Sequence, residues 1–146
     1  MDKLSHFFSD PARHWSRVSP VSEAELSELI RFAPCRLPDA YLEFLQHSDG
    51  AEGPLGIAPG WCQLWSASAV LKLNEAYALS EFLPGYLAIG SNGGDELFVI
   101  PTSGSDPPVL MVPAVGMAPA ALQPVSTTML AFLVTLGLTD QFPPGA

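Results

Sequence analysis

Positive charge is scarce in this chain: six Lys and Arg stand against fifteen Asp and Glu in 146 residues, for a formal net charge of -9. Such a surface repels a phosphate backbone, so nucleic acid is excluded as an expected partner. Cysteine is scarcer still. Cys35 and Cys62 stand alone, with no CxxC and no Cys/His cluster, so no metal motif is present and both read as small buried hydrophobes. A basic start leading into an apolar run is also missing, because Met1-Asp2-Lys3 opens a mixed polar segment. No cleaved signal peptide is expected, and a reducing cytoplasm is the simplest location. Residues 107 to 139 carry no charge, yet Pro108, Pro113, Pro119 and Pro124 interrupt them, leaving no run near the ~20 residues of a spanning helix. No membrane association is expected.

What is present is enough for a core. Hydrophobic residues make up 48% and charged residues 14% of the chain, and a single domain of this length buries roughly 68–70% of its unfolded surface. The charge is unevenly placed. Residues 1 to 36 hold five acids and five bases, whereas residues 37 to 146 hold ten acids and only Lys72. That field attracts basic partners and speeds encounter if several acids share a face; the simpler reading is a solubilising surface.

Helix signals are clearest early. Asp10-Pro11 suggests a cap and first helical position for a short helix through Trp15. Ser22 and Glu25 have capping-box spacing, Val21 and Leu26 have that of a hydrophobic staple, and Leu26, Leu29, Ile30 and Ala33 form an apolar face ended by Pro34. A second helix follows Leu37-Pro38, with Tyr41, Leu42 and Leu45 as its stripe and Phe44 at the edge. Gly50, Gly53, Pro54, Gly56, Pro59 and Gly60 read as a loop, Trp61 to Trp65 as an alternating strand, and Ser66 to Tyr77 as a helix. Two apolar runs, Tyr86 to Ser91 and Glu96 to Ile100, flank Asn92-Gly93, a hairpin signal that Gly94 and Asp95 lengthen. A strand over Val109 to Val112, an extended piece before Val125, and a buried helix capped by Ser126 and ended by Gly137 complete the reading. The expected fold is one compact α+β domain, a central antiparallel or mixed sheet flanked by N-terminal helices and a C-terminal helix.

No catalytic constellation emerges. Ser91 lies between two strands rather than on a strand-to-helix elbow, and the glycines around it lack the lysine and following helix of a phosphate loop. His6, His14 and His47 share no ligand spacing. Asp95-Glu96 would serve as an acid–base pair only if both faced one side, which neighbours on a strand do not. Asp49 and Glu52 lack the repeated acids of a calcium loop. Neither a metal nor a cofactor is expected, nor enzymatic turnover; a small hydrolase or lyase built on loop carboxylates is the least supported reading.

The order of motifs carries more. Leu37-Pro38-Asp39-Ala40-Tyr41-Leu42-Glu43-Phe44-Leu45, closed by Ser48-Asp49-Gly50-Ala51-Glu52-Gly53, resembles the helix and loop that open the SUKH superfamily (Smi/Knr-like) domain. Leu64-Trp65-Ser66, a helix with Asn74, Leu83-Pro84-Gly85-Tyr86 and the Gly93-Gly94-Asp95-Glu96 turn follow in that family's order, and Ser126 to Leu136 is similar to its closing helix. The chain departs from the pattern at Ser48-Asp49-Gly50, where Asn-Gly is commoner, and in the proline-rich stretch after Asp106. The resemblance spans residues 20 to 137, setting off a segment over 1 to 19 and a tail over 138 to 146. It implies a non-catalytic protein-binding domain, in bacteria widely an immunity protein that neutralises a cognate toxin, often a nuclease. The alternative is a regulatory or scaffolding module unrelated to toxins. A basic protein partner is therefore expected on a face containing several of Asp49, Glu52, Glu75, Glu81, Asp95 and Glu96, with Trp65 as apolar anchor. Trp61 lies four positions earlier and would share its side of an extended strand, where core packing is the simpler role for both.

Overall fold

A computed structural model describes residue 10 and residues 13–138. Seven strands form one wholly antiparallel sheet in chain order: β1 (Ser16–Arg17), β2 (Ala51–Pro54), β3 (Trp61–Leu64), β4 (Tyr86–Ser91), β5 (Glu96–Pro101), β6 (Val109–Pro113) and β7 (Gln123–Ser126). Five α-helices accompany them among the described residues: α1 (Glu23–Phe32), α2 (Asp39–His47), α3 (Ala67–Ala76), α4 (Leu79–Phe82) and α5 (Met129–Leu133). The protein is thus a single α+β domain.

Both faces of the sheet centre are covered, which explains the unbroken apolar runs of β4 and β5. Leu87, Ile89, Phe98 and Ile100 face a core with Tyr41, Phe44 and Leu45 of α2 and Phe132 and Leu133 of α5. Ala88, Leu97 and Val99 face the other way, onto Leu79, Leu83 and Met117. Phe98 and Phe132 meet edge-on at 5.1 Å between ring centroids.

Local chemistry sets the element ends. The Ser22 hydroxyl accepts from the Glu25 backbone N–H at 3.2 Å, capping α1, and donates to the Glu25 carboxylate at 2.8 Å in place of the expected reach-back to the cap amide. Asn92 organises the hairpin loop over residues 92–95: its Oδ1 accepts from the N–H groups of Gly94 and Glu96, at 2.9 and 3.3 Å. Thr128, two residues beyond the expected Ser126, caps the shorter last helix by accepting from Ala131 N–H at 3.0 Å, because Ser126 is still in β7.

Other expectations need correcting. Ile30 points to solvent, whereas Phe44 is fully buried rather than at a stripe's edge. Residues 51–54 form a strand instead of a loop, paired between β1 and β3 and alternating inward and outward as a half-buried strand does. Arg13 to Trp15 are not helical, and Pro11 and Ala12 of the expected first helix lie outside the described residues. The chain there runs extended into β1, and the Arg13 guanidinium donates to the carbonyls of Val134 and Leu136 at 2.7 and 2.8 Å, closing the end of α5.

Both cysteines are free thiols. Cys62 is fully enclosed and burial pushes its pKa up; half-buried Cys35 moves the same way. Iodoacetamide at pH 8 should therefore label Cys35 slowly and leave Cys62 unmodified until the protein unfolds, read by peptide mass. Native-state labelling of Cys62 at the rate of Cys35 would contradict the enclosure of β3.

Candidate partner-binding surface

The covering layer stops short of the first strands. Along β3 the side chains alternate, so Cys62 and Leu64 enter the core while Trp61 and Gln63 turn outward. Glu52 of β2 lies opposite Gln63 in register and is exposed on the same face. Trp61 is 42% exposed and sits on the hairpin loop, where a Cβ on Gly93 would come within 2.8 Å of the indole Cδ1. Glycine at 93, with φ of 83°, thus both makes the turn and seats the ring. Asp95 is exposed in that loop, and its carbonyl accepts from Ala114 N–H at 2.8 Å. This bond brings in the β6–β7 connection, whose Val115 is 89% exposed. One end of the sheet thereby presents Trp61 and Val115 as apolar groups, with Glu52 and Asp95 as exposed carboxylates.

The remaining expected residues are distributed elsewhere. Glu96 lies one position before inward Leu97 and so takes the opposite side of β5, where its carboxylate accepts from Asn92 Nδ2 at 3.3 Å. Asp49 is half-buried and its carboxylate accepts from Ala67 N–H at 2.7 Å, capping α3. Its charge also adds to burial in pushing the enclosed Tyr41 phenol upward. Trp65 lies just past β3, stacked on Tyr77 at 6.2 Å and 4° between planes, and packs against both cores. Glu75 and Glu81 are exposed on α3 and α4, at the other end of β4.

The described arginines of the first third are engaged within the chain. Arg17 donates to the His47 carbonyl at 3.2 Å and lies over Trp15, Arg31 lies over Phe32, and Arg36 pairs with Asp39 at 3.6 Å. Among the described residues no group of three or more His, Cys, Asp or Glu is placed to hold a metal ion, and no described helix is long and apolar enough to cross a membrane.

Residues 20–135 match the model of the SMI1 / KNR4 family (SUKH-1), most of the chain. The chain belongs to the SMI1 / KNR4 family. No curated protein matches it. In this SMI1 / KNR4 domain the family match takes in every element from α1 to α5, and with them Trp61, Glu52 and Asp95. Sequence reasoning missed Val115, for which an uncharged, proline-rich loop offers no signal. For Trp61 the signal was the alternation of β3, which puts 61 and 63 on the side away from Cys62.

Proposed function

We propose that this SMI1 / KNR4 domain is a non-catalytic, stoichiometric protein binder, an immunity protein that occludes a basic toxin, with a nuclease as the fitting class. The observation that carries this reading is the exposed Trp61 beside Glu52 and Asp95, in a stretch of chain where ten acids face a single Lys72. An enzyme that binds nucleic acid must present cations at its active site, so an acidic surface with an apolar centre mimics the charge of its substrate while excluding water. Acids around the rim set encounter rate, and the aromatic centre sets residence time.

The test is association kinetics with the product of the adjacent toxin-like gene. Reversing charge in the double variant Glu52→Lys/Asp95→Lys should slow association about 10-fold or more, and raising salt from 50 to 500 mM should slow the native protein comparably, as the screening length shortens. Association unchanged by both treatments would reduce the acidity to a solubilising role. Failure of the neighbouring product to bind at all would favour the regulatory-module reading.

A further inference from the structure

A cleft of about 330 Å³ opens where α3, α4 and the start of β4 meet. Leu71, Leu79, Pro84 and Tyr86 supply its apolar lining, and Asn74 and Glu75 its polar groups. The size lies at the lower end of ligand-binding cavities. Its lining includes main chain as well as side chains, and the ladder shows why.

β3 accompanies β4 only at Gln63–Ser91 and Leu64–Gly90, after which Trp65 N–H donates to the Ile89 carbonyl at 3.0 Å and the chain departs into α3. From Ala88 back to Tyr86 the edge of β4 has no neighbouring strand on this side among the described residues. The Asn74 carboxamide stands in for one at a single position: Oδ1 accepts from Ala88 N–H at 2.8 Å and Nδ2 donates to the Ala88 carbonyl at 2.8 Å. In an antiparallel ladder successive residues direct their N–H and C=O to alternate sides. Thr102 N–H donates to the Gly85 carbonyl at 2.9 Å, so residues 85 and 87 address β5 while 86 and 88 address the cleft. Tyr86 therefore offers a donor and an acceptor into the cleft, two residues from the pair that Asn74 has taken.

We propose that this cleft binds an extended segment of a protein partner, which bonds to the main chain of Tyr86, seats an apolar side chain against Leu71 and Leu79, and sets a Lys or Arg against Glu75. Charge selects the occupant. Glu75 is exposed in the lining and Glu81 is exposed on the adjoining α4, so a cationic segment is favoured and an acidic one repelled. A second copy docked edge to edge would bring its own Glu75 and Glu81 against these two, which works against self-association. Recognition of this form draws affinity from main-chain bonds and specificity from alternate side chains. The cleft lies at the far end of β4 from Trp61, about 17 Å along the strand. The proposal stands whether or not the partner is a toxin.

The experiment is a titration of the ¹⁵N-labelled full chain with three capped pentapeptides: Gly-Val-Lys-Val-Gly, its Glu-for-Lys counterpart, and the Lys peptide N-methylated at the central amide. The Lys peptide should produce saturable shifts at the amides of Glu75, Tyr86, Leu87 and Thr102, and bind about 5–10-fold more tightly than the Glu peptide. N-methylation should weaken it about 5-fold by removing one main-chain bond. Glu75→Lys should reverse the preference between the two peptides. No saturable shift, equal binding of the Lys and Glu peptides, or shifts centred on Trp61 would overturn the proposal. Shifts at the same amides that grow with protein concentration alone would assign the edge to a second copy instead. Partner association that stays salt-dependent while all three peptides fail would remove the cleft and leave the Trp61 face intact.

Discussion

Asn74→Ala is expected to lower unfolding free energy by about 2–4 kcal/mol, read from urea titration with an unchanged slope. Asn74 makes three hydrogen bonds with its carboxamide: to the Val70 carbonyl at 2.7 Å, and to both main-chain groups of Ala88. Ala88 is fully buried, so truncation strands a donor and an acceptor at the edge of β4, each costing about 1–3 kcal/mol when unpaired. Water entering from the cleft offsets part of that cost, which sets the range below the sum. Asn74→Asp is the sharper control. Near neutral pH its carboxylate still accepts from Ala88 N–H but opposes the Ala88 carbonyl that Nδ2 had bonded, so the loss should match or exceed that of alanine. A protonated carboxyl restores a donor, so the folded state raises this group's pKa above the ordinary ~3.9. Folded protein then binds more protons than unfolded in the window between the two values, and stability should recover as pH falls through the raised pKa. A loss below about 1 kcal/mol for alanine, or an aspartate variant whose deficit deepens on acidification, would show that Asn74 does not complete the sheet edge.

Asn74 also marks the limit of what the sequence makes legible. Local signals held up where the determinant is local: Ser22 with Glu25 marks the start of α1, and the apolar runs around Asn92-Gly93 mark the hairpin. Longer-range determinants did not show. Gly53 lies in a strand, where a Cβ would come within 2.7 Å of the Trp15 Cβ; the need for glycine comes from a residue far apart in sequence, so locally it reads as a loop. Arg13 closes α5 across the whole length of the domain. Phe44 is buried in the main core and Trp15 also packs on it, at 6.3 Å between ring centroids, which no helical periodicity reports. At the candidate surface, turn acids expected to be exposed are so at Glu52 and Asp95, while Asp49 faces inward to cap α3. An acidic residue beside a glycine reads alike whether it faces solvent or a helix N-terminus.

Trp61 and Trp65 make the largest expected difference in partner binding. Trp61→Ala should weaken the complex by about 30-fold or more, most of it as faster dissociation, because a partly exposed aromatic ringed by carboxylates is the kind of group that fills a partner's pocket. Its own fold should change little: Trp61 is 42% exposed and its ring rests on Gly93 of the hairpin loop, so stability should shift by less than about 1 kcal/mol. Trp65→Ala should do the reverse. That side chain stacks on Tyr77 and touches both cores, so its truncation should cost about 2–4 kcal/mol of stability while the dissociation rate of the folded fraction stays near the native value. Glu52→Lys and Asp95→Lys act on a different rate, slowing encounter. Combining either with Trp61→Ala should therefore give effects that nearly multiply, since one changes association and the other dissociation. Trp61→Ala binding within threefold of the native protein, with Trp65→Ala dissociating faster at full folding, would move the anchor to Trp65 and place the contact on the α3 side of the sheet.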